Sequence, residues 1–466
     1  MAPKSAFPNI QQYFITNMER REFIKKAGFA AAGIMIGGKG MSASSYSRIK
    51  GANDRVNVAV VGYSDRFKSS LLPAFQQNCE KLNFDMIGVS DLWRLRREEA
   101  KSTLETRFGH KIRTYVNNEQ LYKDKDIDAV IISTADFQHA LHAAEAAENG
   151  KDAYVEKPFA ETMADARVAK AAIEKAGTIV QIGSQRRSAP NYHAANDFLK
   201  SGKFGDIVMV EMTWNVNQPG RWRRPNTVPL LKQEDTDWKR YLMNRPWQEF
   251  DPRKYLEFRL FWPFSSGIPG QWMAHQIDTV HWFTGYNYPR SVAANGGIYL
   301  WNDGRTNYDT MTAVLDYGPM DNPNKGFQVI YSSRFTNSAG GTKEIYYSNG
   351  GELNLDTNMV TSNGYLTARN AAAMGMPENK LESFSLSEAV KVSTEANTGG
   401  DPMTVAHMRN WMECVRSRKQ PNANYMAGYN HSIACIMVTA ALRTHEFTVF
   451  DPATQEVMAG GKVFQY

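Results

Sequence analysis

Two residues in this chain are of the right type, in the right setting, to move a proton or polarise an oxygen. Lys157 sits in "YVEKPFAE", where Glu156-Lys157-Pro158 closes the apolar run Asp152–Val155. If that run is a parallel strand, the lysine stands at its carboxyl end, the edge at which open α/β sheets bind ligands. An ammonium held there can polarise a hydroxyl or carbonyl oxygen, although a lysine at such an edge is also commonly a plain surface charge. His275 sits in "GQWMAHQIDTVHWF". Helical spacing puts Gln271, His275 and Asp278 on one face at i, i+4 and i+7. An imidazole so placed can accept a hydroxyl proton while the carbon beneath it is oxidised. A metal site of His275, Asp278 and His281 needs His281 to swing in from a quarter-turn away, and is set aside. A capped helix with a core histidine is the plainer alternative.

The stretch "VNVAVVGYSDRFKSS", Val56–Ser70, carries a second kind of chemistry. A short apolar strand runs into Gly62. A phosphate-binding turn wants small residues, so that backbone approaches a pyrophosphate at a helix N-terminus. Gly62 supplies the tight turn, but Ser64 and Phe67 stand where further glycines are usual. Ser64 is expected to donate to the pyrophosphate and Phe67 to pack beneath the helix. Asp65, Arg66 and Lys68 complete the turn. Asp91 ends the next strand in "DMIGVSDLW", where an acid accepts hydrogen bonds from an adenosine ribose. A 2′-phosphate would be repelled there, which favours NAD over NADP; Arg94, Arg96 and Arg97 keep NADP possible. A helix cap is the other reading of Asp91.

These side chains need a scaffold. From Val56 to about Gln185 the pattern alternates strand and helix, as βαβ units do. Strands are expected at 56–61, 85–90, 128–134, 152–155 and 178–182, nearly all apolar, as befits a parallel sheet covered on both faces. Thr162 and Gly177 bracket one helix, and Gly150 ends another. After Gln185 the texture changes. A helix over 190–200 leads to a strand "DIVMVEMTWNV", then a Trp/Arg/Pro-rich loop, 217–264, then the His275 helix, stopped by Gly285. Strands from 291 to about 360 predict a largely antiparallel, open-faced sheet, and helices near 402–418 and 427–446 follow, the last packing back on the first domain. The fold class is therefore α/β: a Rossmann doubly wound parallel sheet over 51–185, then an α+β domain over 186–466.

Two basic, aromatic segments belong near the cleft. Gln185, Arg186 and Arg187 in "GSQRRSAPNYH" follow a strand end. Arg221, Trp222, Arg223 and Arg224 lie in the long loop, where Trp beside Arg offers a stacking platform with donors for a sugar ring. Anchoring the loop is an equal use for Trp222. The bulk composition agrees with a globular protein: 466 residues, 42% hydrophobic and 22% charged, with 54 basic against 48 acidic side chains. That mild balance, without a basic–aromatic run, argues against a nucleic-acid groove. Cys79, Cys414 and Cys435 match no disulfide or metal framework and read as free thiols.

The nucleotide turn, Asp91, "STADFQHALHAAEAAENGKDAYVEKPFAETMADA", "GSQRRSAP" and "HQIDTVHWFTG" together resemble the Gfo/Idh/MocA oxidoreductases, a family that includes glucose-fructose oxidoreductase and inositol dehydrogenases. The resemblance runs from about Arg55 onward. The family's T-P-x-x-x-H motif stands here as Thr134-Ala135-Asp136-Phe137-Gln138-His139, and its E-K-P as Glu156-Lys157-Pro158. It implies a tightly held NAD, contacted by Gly62, Ser64, Asp65, Arg66, Asp91, Thr134, Ala135, Asp136, His139, Glu156, Lys157 and Gln185. It implies a sugar or polyol substrate met by Lys157, Arg186, Arg187, Trp222, Arg223, Gln271, His275 and Asp278, with Lys157 and His275 catalytic, no metal, and a homo-oligomer formed through the open sheet. One departure stands out. Similar dehydrogenases carry an Asp four residues before the histidine, and this chain has Gln271.

The N-terminal stretch "MERREFIKKAGFAAAGIMIGG" places Arg20-Arg21 before a short Gly/Ala-rich apolar run. That pattern predicts a twin-arginine export signal over 1–50 and a periplasmic protein. The route carries folded proteins, which suits an enzyme that loads its cofactor first. Three functions follow from the sequence. The leading one is hydride transfer between NAD and a ring carbon of a sugar, polyol or derivative. A second is a redox-assisted glycosidase, which oxidises, eliminates, hydrates and reduces. A third is a non-catalytic sugar- or nucleotide-binding protein, suggested by the eroded glycine turn and Gln271.

Overall fold

The computed structural model describes residues 54–386 and 401–465, which form one compact unit. The arginine pair at Arg20-Arg21 and the apolar run behind it lie outside the described residues.

The first sheet contains β1 (Val56–Val61), β2 (Phe84–Ser90), β3 (Arg113–Tyr115), β4 (Ala129–Ile132), β5 (Asp152–Val155) and β6 (Val180–Ile182). They run in the order β3-β2-β1-β4-β5-β6, every pair parallel. This is the doubly wound Rossmann order, and its direction of winding reverses between β1 and β4. Four of the five expected strands differ only at their ends from the sequence reading or match it, and β6 is shorter. The three-residue β3 has no apolar run to announce it. Helices α1 (Leu72–Leu82), α2 (Arg94–Phe108), α3 (His139–Glu148) and α4 (Met163–Ala176) cover the sheet. Thr162 caps α4 by accepting from the Asp165 amide at 3.1 Å, and Gly177 ends it at φ +65°.

After α5 (Pro190–Lys200) a second sheet begins. It contains β7 (Ile207–Asn215), β8 (Ser291–Gly297), β9 (Thr310–Tyr317), β10 (Phe327–Arg334), β11 (Thr342–Ser348), β12 (Gly351–Asn354), β13 (Met359–Thr361), β14 (Phe384–Ser385), β15 (Thr448–Asp451), β16 (Glu456–Ala459) and β17 (Lys462–Val463). Their order is 14-13-12-11-7-10-9-8-15-16-17. The eleven strands were not all legible: β14 and the hairpin strands β15–β17 fall outside the expected 291–360 span. The sheet is antiparallel except that β7 and β10 run parallel, because the chain leaves β7 through the long loop and re-enters from the far side. Buried and less buried residues alternate along β9 and β10, the period expected of a sheet with one covered face.

Three further helices complete the fold, of which the last contacts both sheets. α6 (Ala274–Thr284), preceded by a π-helical turn over Pro269–Met273, lies against α8 (Tyr425–Thr444), which also packs on α4 and β6. α7 (Pro402–Ser417) packs on α1. Among the described residues no helix is long and apolar enough to cross a membrane.

Candidate active site

A cavity of about 310 Å³ opens where β1 and β4 part, and runs from Asp91 to His275. Its floor is the turn after β1. Gly62 has φ +85°, and a Cβ there would meet Thr134 Cγ2 at 2.8 Å and the Ser133 carbonyl at 2.9 Å, so only glycine fits. Ser64 Oγ accepts the Phe67 amide at 3.2 Å and contacts the Ser133 hydroxyl closely. One of the two hydroxyls donates to the other, leaving a single O–H hydrogen for a ligand. Phe67 is fully buried under the turn with Val58, Val60 and Leu71, its ring 5.7 Å from Tyr63, and does not line the cavity. The bulky residue has thus moved into the core, and the space above the turn stays open.

Asp91 lines the cavity and is almost wholly buried. Its two oxygens accept the amides of Tyr63 and Trp93, each at 2.9 Å. The carboxylate braces the turn and the residue before α2 without being that helix's cap, and each oxygen keeps a lone pair. Burial raises its carboxyl above the ordinary value, with Arg96 opposing. Arg96 also lines the cavity, donating to the Tyr63 carbonyl at 2.8 Å, whereas Arg97 ties back to the Asp91 carbonyl at 2.7 Å.

The two motif loops are locked by histidine. His139 Nδ1 lies 2.8 Å from the Pro158 carbonyl and Nε2 3.3 Å from the Thr134 carbonyl. Its ring is a brace between the loops, although its edge reaches the cavity. Glu156 similarly accepts Arg66 Nε at 2.9 Å and the Lys157 amide at 3.2 Å. Thr134 Oγ1 is buried at the cavity wall with no hydrogen-bond partner among the described residues. A ligand polar group there would satisfy it.

At the other end stand Lys157, Gln271 and His275. Lys157 Nζ donates to the Gln271 main-chain carbonyl at 2.6 Å and approaches its side-chain oxygen at 3.4 Å. Burial lowers its pKa to about 8, with Asp136 and Glu156 resisting. His275 makes no hydrogen bond among the described residues, and its ring leans on Trp214 with centroids 5.9 Å apart. Burial and the Lys157 cation hold the imidazole well below its usual pKa, so it is neutral at pH 7 and able to accept a proton. Trp214 and Trp272 stack at 5.8 Å and 9°, and Trp222 packs beside them against Phe335. All three tryptophans face the cavity, so Trp222 both anchors the loop and forms wall.

Of the residues predicted from sequence, Gly62, Ser64, Asp65, Arg66, Asp91, Thr134, Ala135, His139, Glu156, Lys157, Gln185, Arg186, Trp222, Gln271 and His275 line this one cavity. Four do not. Asp136 is wholly buried behind Gln271, accepting its amide at 2.5 Å. Asp278 pairs with Arg187 at 2.8 Å, which withdraws both. It shares a helical face with His275, but the rise along the axis carries it about 4.5 Å further from the site. Arg223 pairs instead with buried Glu257 and with Asp303. Arg186 reaches the wall with its charge neutralised by buried Glu344.

The loop 217–264 supplies most of what the sequence left unseen. Tyr241, Tyr255, Phe258 and Arg259 line the cavity beside Arg221 and Arg224, which the sequence had already placed near the cleft. Arg224 pairs with Asp65 of the phosphate turn at 3.1 Å, Arg94 with Asp235 at 2.7 Å, and Arg240 with Glu145 at 2.5 Å. Gln138 donates to the Tyr241 carbonyl at 2.7 Å. The loop is therefore a strap fastened across the mouth of the first sheet. Its charge and aromatic content were the signal; its partners, 95 to 159 positions away, were not readable.

The comparisons with known proteins agree with this geometry. Residues 56–184 match the model of the Gfo/Idh/MocA oxidoreductase family, NAD-binding Rossmann fold. The Rossmann domain is accordingly an NAD-binding domain, and the fit is local: glycine at 62, an open space above Ser64, the Asp91 lone pairs and the unpartnered Thr134 hydroxyl. An inositol 2-dehydrogenase of Salmonella typhimurium is 25% identical over 191 residues, 41% of this chain and 54% of that protein. A 1,5-anhydro-D-fructose reductase of Ensifer adhaerens is 30% identical over 135 residues, 27% of this chain and 40% of its own. The chain thus spans about half the length, or less, of the curated relatives it matches. Across the whole fold, levoglucosan dehydrogenase in complex with NADH and levoglucosan superposes with a TM-score of 0.59 at 14% identity, covering 84% of this chain and 98% of that one. Aldose-aldose oxidoreductase from Caulobacter crescentus gives 0.56 at 17% identity, covering 85% and 100%.

Proposed function

We propose that the protein is an NAD-dependent oxidoreductase acting on a hydroxyl-bearing ring carbon of a sugar, polyol or sugar derivative. One observation carries this reading: Asp91 and the phosphate turn stand at one end of a single cavity, and Lys157 with His275 at the other. Gly62, Ser64, Asp91 and Thr134 would hold the nucleotide. Bound NAD supplies or accepts the hydride. Lys157 donates to the reacting oxygen and so stabilises negative charge developing there. The neutral His275 imidazole accepts the hydroxyl proton in oxidation and returns it in reduction. The three tryptophans shape the pocket for the apolar face of a ring. In this reading residues 51–185 hold the nucleotide and 186–466 carry the substrate wall, with the open sheet left for self-association.

The strap favours a cofactor that stays bound between turnovers. It is compatible with the export signal read at Arg20-Arg21 and with a periplasmic location, where no pool of free NAD is expected. A retained cofactor must be recycled. Either a second substrate returns the hydride, or oxidation and reduction occur on one substrate around an elimination, as in a redox-assisted glycosidase. The neutral Gln271 favours keeping this second reading.

Native mass spectrometry of the protein as purified, followed by a panel of sugars, polyols and glycosides monitored at the nicotinamide absorbance, tests the proposal. Bound NAD and an absorbance change with one substrate class support oxidoreduction. An aglycone released without net absorbance change supports the glycosidase. A protein that neither retains nor binds NAD overturns both.

A further inference from the structure

Gln271 is held in one orientation by three charged neighbours. Its side-chain nitrogen donates to Asp136 Oδ2 at 2.5 Å. Its side-chain oxygen accepts Arg259 Nε at 2.8 Å and faces Lys157 Nζ at 3.4 Å. A carboxylate only accepts and the two cations only donate, so the amide cannot be turned over without breaking every contact. Asp136 is wholly buried, takes a second bond from Ser265 Oγ at 2.5 Å, and stands 4.0 Å from Arg259 through its other oxygen. It does not line the cavity.

We propose that Asp136 is a positioning residue of the site: through the Gln271 amide it orients the ammonium of Lys157, so that the carboxylate absent from position 271 acts from one side chain further back. The proposal deepens the oxidoreductase reading and rests on it for the role of Lys157. The Gln271 amide stands between the Asp136 carboxylate and the Lys157 ammonium. An amide between them passes on the orientation while leaving the ammonium a free donor hydrogen. The other ionisable groups facing Lys157 are Glu156 on its own loop, Arg66 on the phosphate turn, Arg259 on the strap, His275 on α6 and Cys435 on α8. Asp136 and Glu156 favour the charged lysine, while burial, Arg259 and Arg66 oppose it. Glu161, next to Asp136, is raised to about 8 by burial and by that neighbour, so it is mostly protonated at neutral pH and adds little charge.

The test follows the pH dependence of Lys157 acylation by an amine-reactive ester, read by peptide mass spectrometry on the full chain. It needs neither substrate nor turnover. The wild-type midpoint is expected near the lowered value of about 8. Asp136→Asn should move it to lower pH by roughly one unit, the effect of losing one nearby opposite charge. Asp136→Asn with Gln271→Glu, which returns the carboxylate to the adjacent position, should bring it back. If Asp136→Asn does not fold, Gln271→Leu removes the link alone and should also lower the midpoint. An unchanged midpoint in the single variant that folds, or no recovery in the double variant, overturns the proposal. A protein that shows these shifts but turns over no substrate instead refutes the oxidoreductase reading.

Discussion

Lys157 Nζ donates to the main-chain carbonyl of Gln271 at 2.6 Å, across a separation of 114 residues. This bond fastens the end of β5 to the turn that begins α6, and so sets the lysine against His275. Replacing Lys157 with Met removes the donor and keeps most of the volume. We expect kcat to fall by roughly 10²–10³, the usual loss when a donor to developing charge is removed, with NAD affinity little changed. Steady-state kinetics beside calorimetric NAD titration separates the two effects.

The pH profile should be one-sided. In the proposed reaction Lys157 acts as a cation, and its pKa is lowered to about 8, so activity should decline as pH rises through that value. In the same reaction His275 acts as a neutral base and is held well below 6.5, so no acid limb should appear near the ordinary histidine pKa. A profile of kcat/KM from pH 5 to 10 checks both limbs.

Asp91 should govern the nucleotide. Asp91→Asn retains shape and loses the charge to which ribose hydroxyls donate in the proposed complex. Hydrogen bonds to charged groups contribute about 1.5–3 kcal/mol, so NAD binding should weaken by one to two orders of magnitude. The two backbone amides now on Asp91 lose a strong acceptor as well, and a lower Tm should accompany the weaker binding.

Gly62→Ala combines a left-handed backbone with a contact of 2.8 Å to Thr134. Strain at such a position costs about 1–3 kcal/mol. A depressed melting temperature and loss of retained NAD are both expected, whereas Gly109→Ala, with φ +73° but open space around it, should affect stability alone.

Arg224→Ala cuts one of the ties between the strap and the phosphate turn. If the strap retains the cofactor, NAD should leave faster while the chemical step is preserved. Competition by a fluorescent nucleotide analogue measures the release rate directly.

How much of this was legible beforehand differs by element. The first sheet was, because parallel strands buried on both faces leave short apolar runs between capped helices, and Gly62, Asp91 and Lys157 sit at strand ends. The partial phosphate turn was legible down to Phe67 packing into the core beneath it; what stayed unreadable was that the Ser64 hydroxyl is already engaged by Ser133 and the Phe67 amide. The α6 face misled in part, since periodicity gives direction around a helix but not depth along it, and Asp278 ends on Arg187. The strap was the least readable, because its position depends on ion pairs such as Arg224–Asp65, between residues 159 apart in sequence. The parallel pairing of β7 with β10 is likewise a property of a crossover, not of either strand.

The account rests on Lys157 and His275 working on a substrate beside bound NAD. Its most direct test is a single-turnover experiment, mixing the NAD-loaded protein with a panel of sugars, polyols and glycosides and following the nicotinamide absorbance, in wild type and in Lys157→Met. We predict a rapid absorbance change with one substrate class that is lost or slowed at least 100-fold in the variant, as a missing donor to developing charge requires. The same change, at the same rate, in both proteins would contradict the assignment of this site.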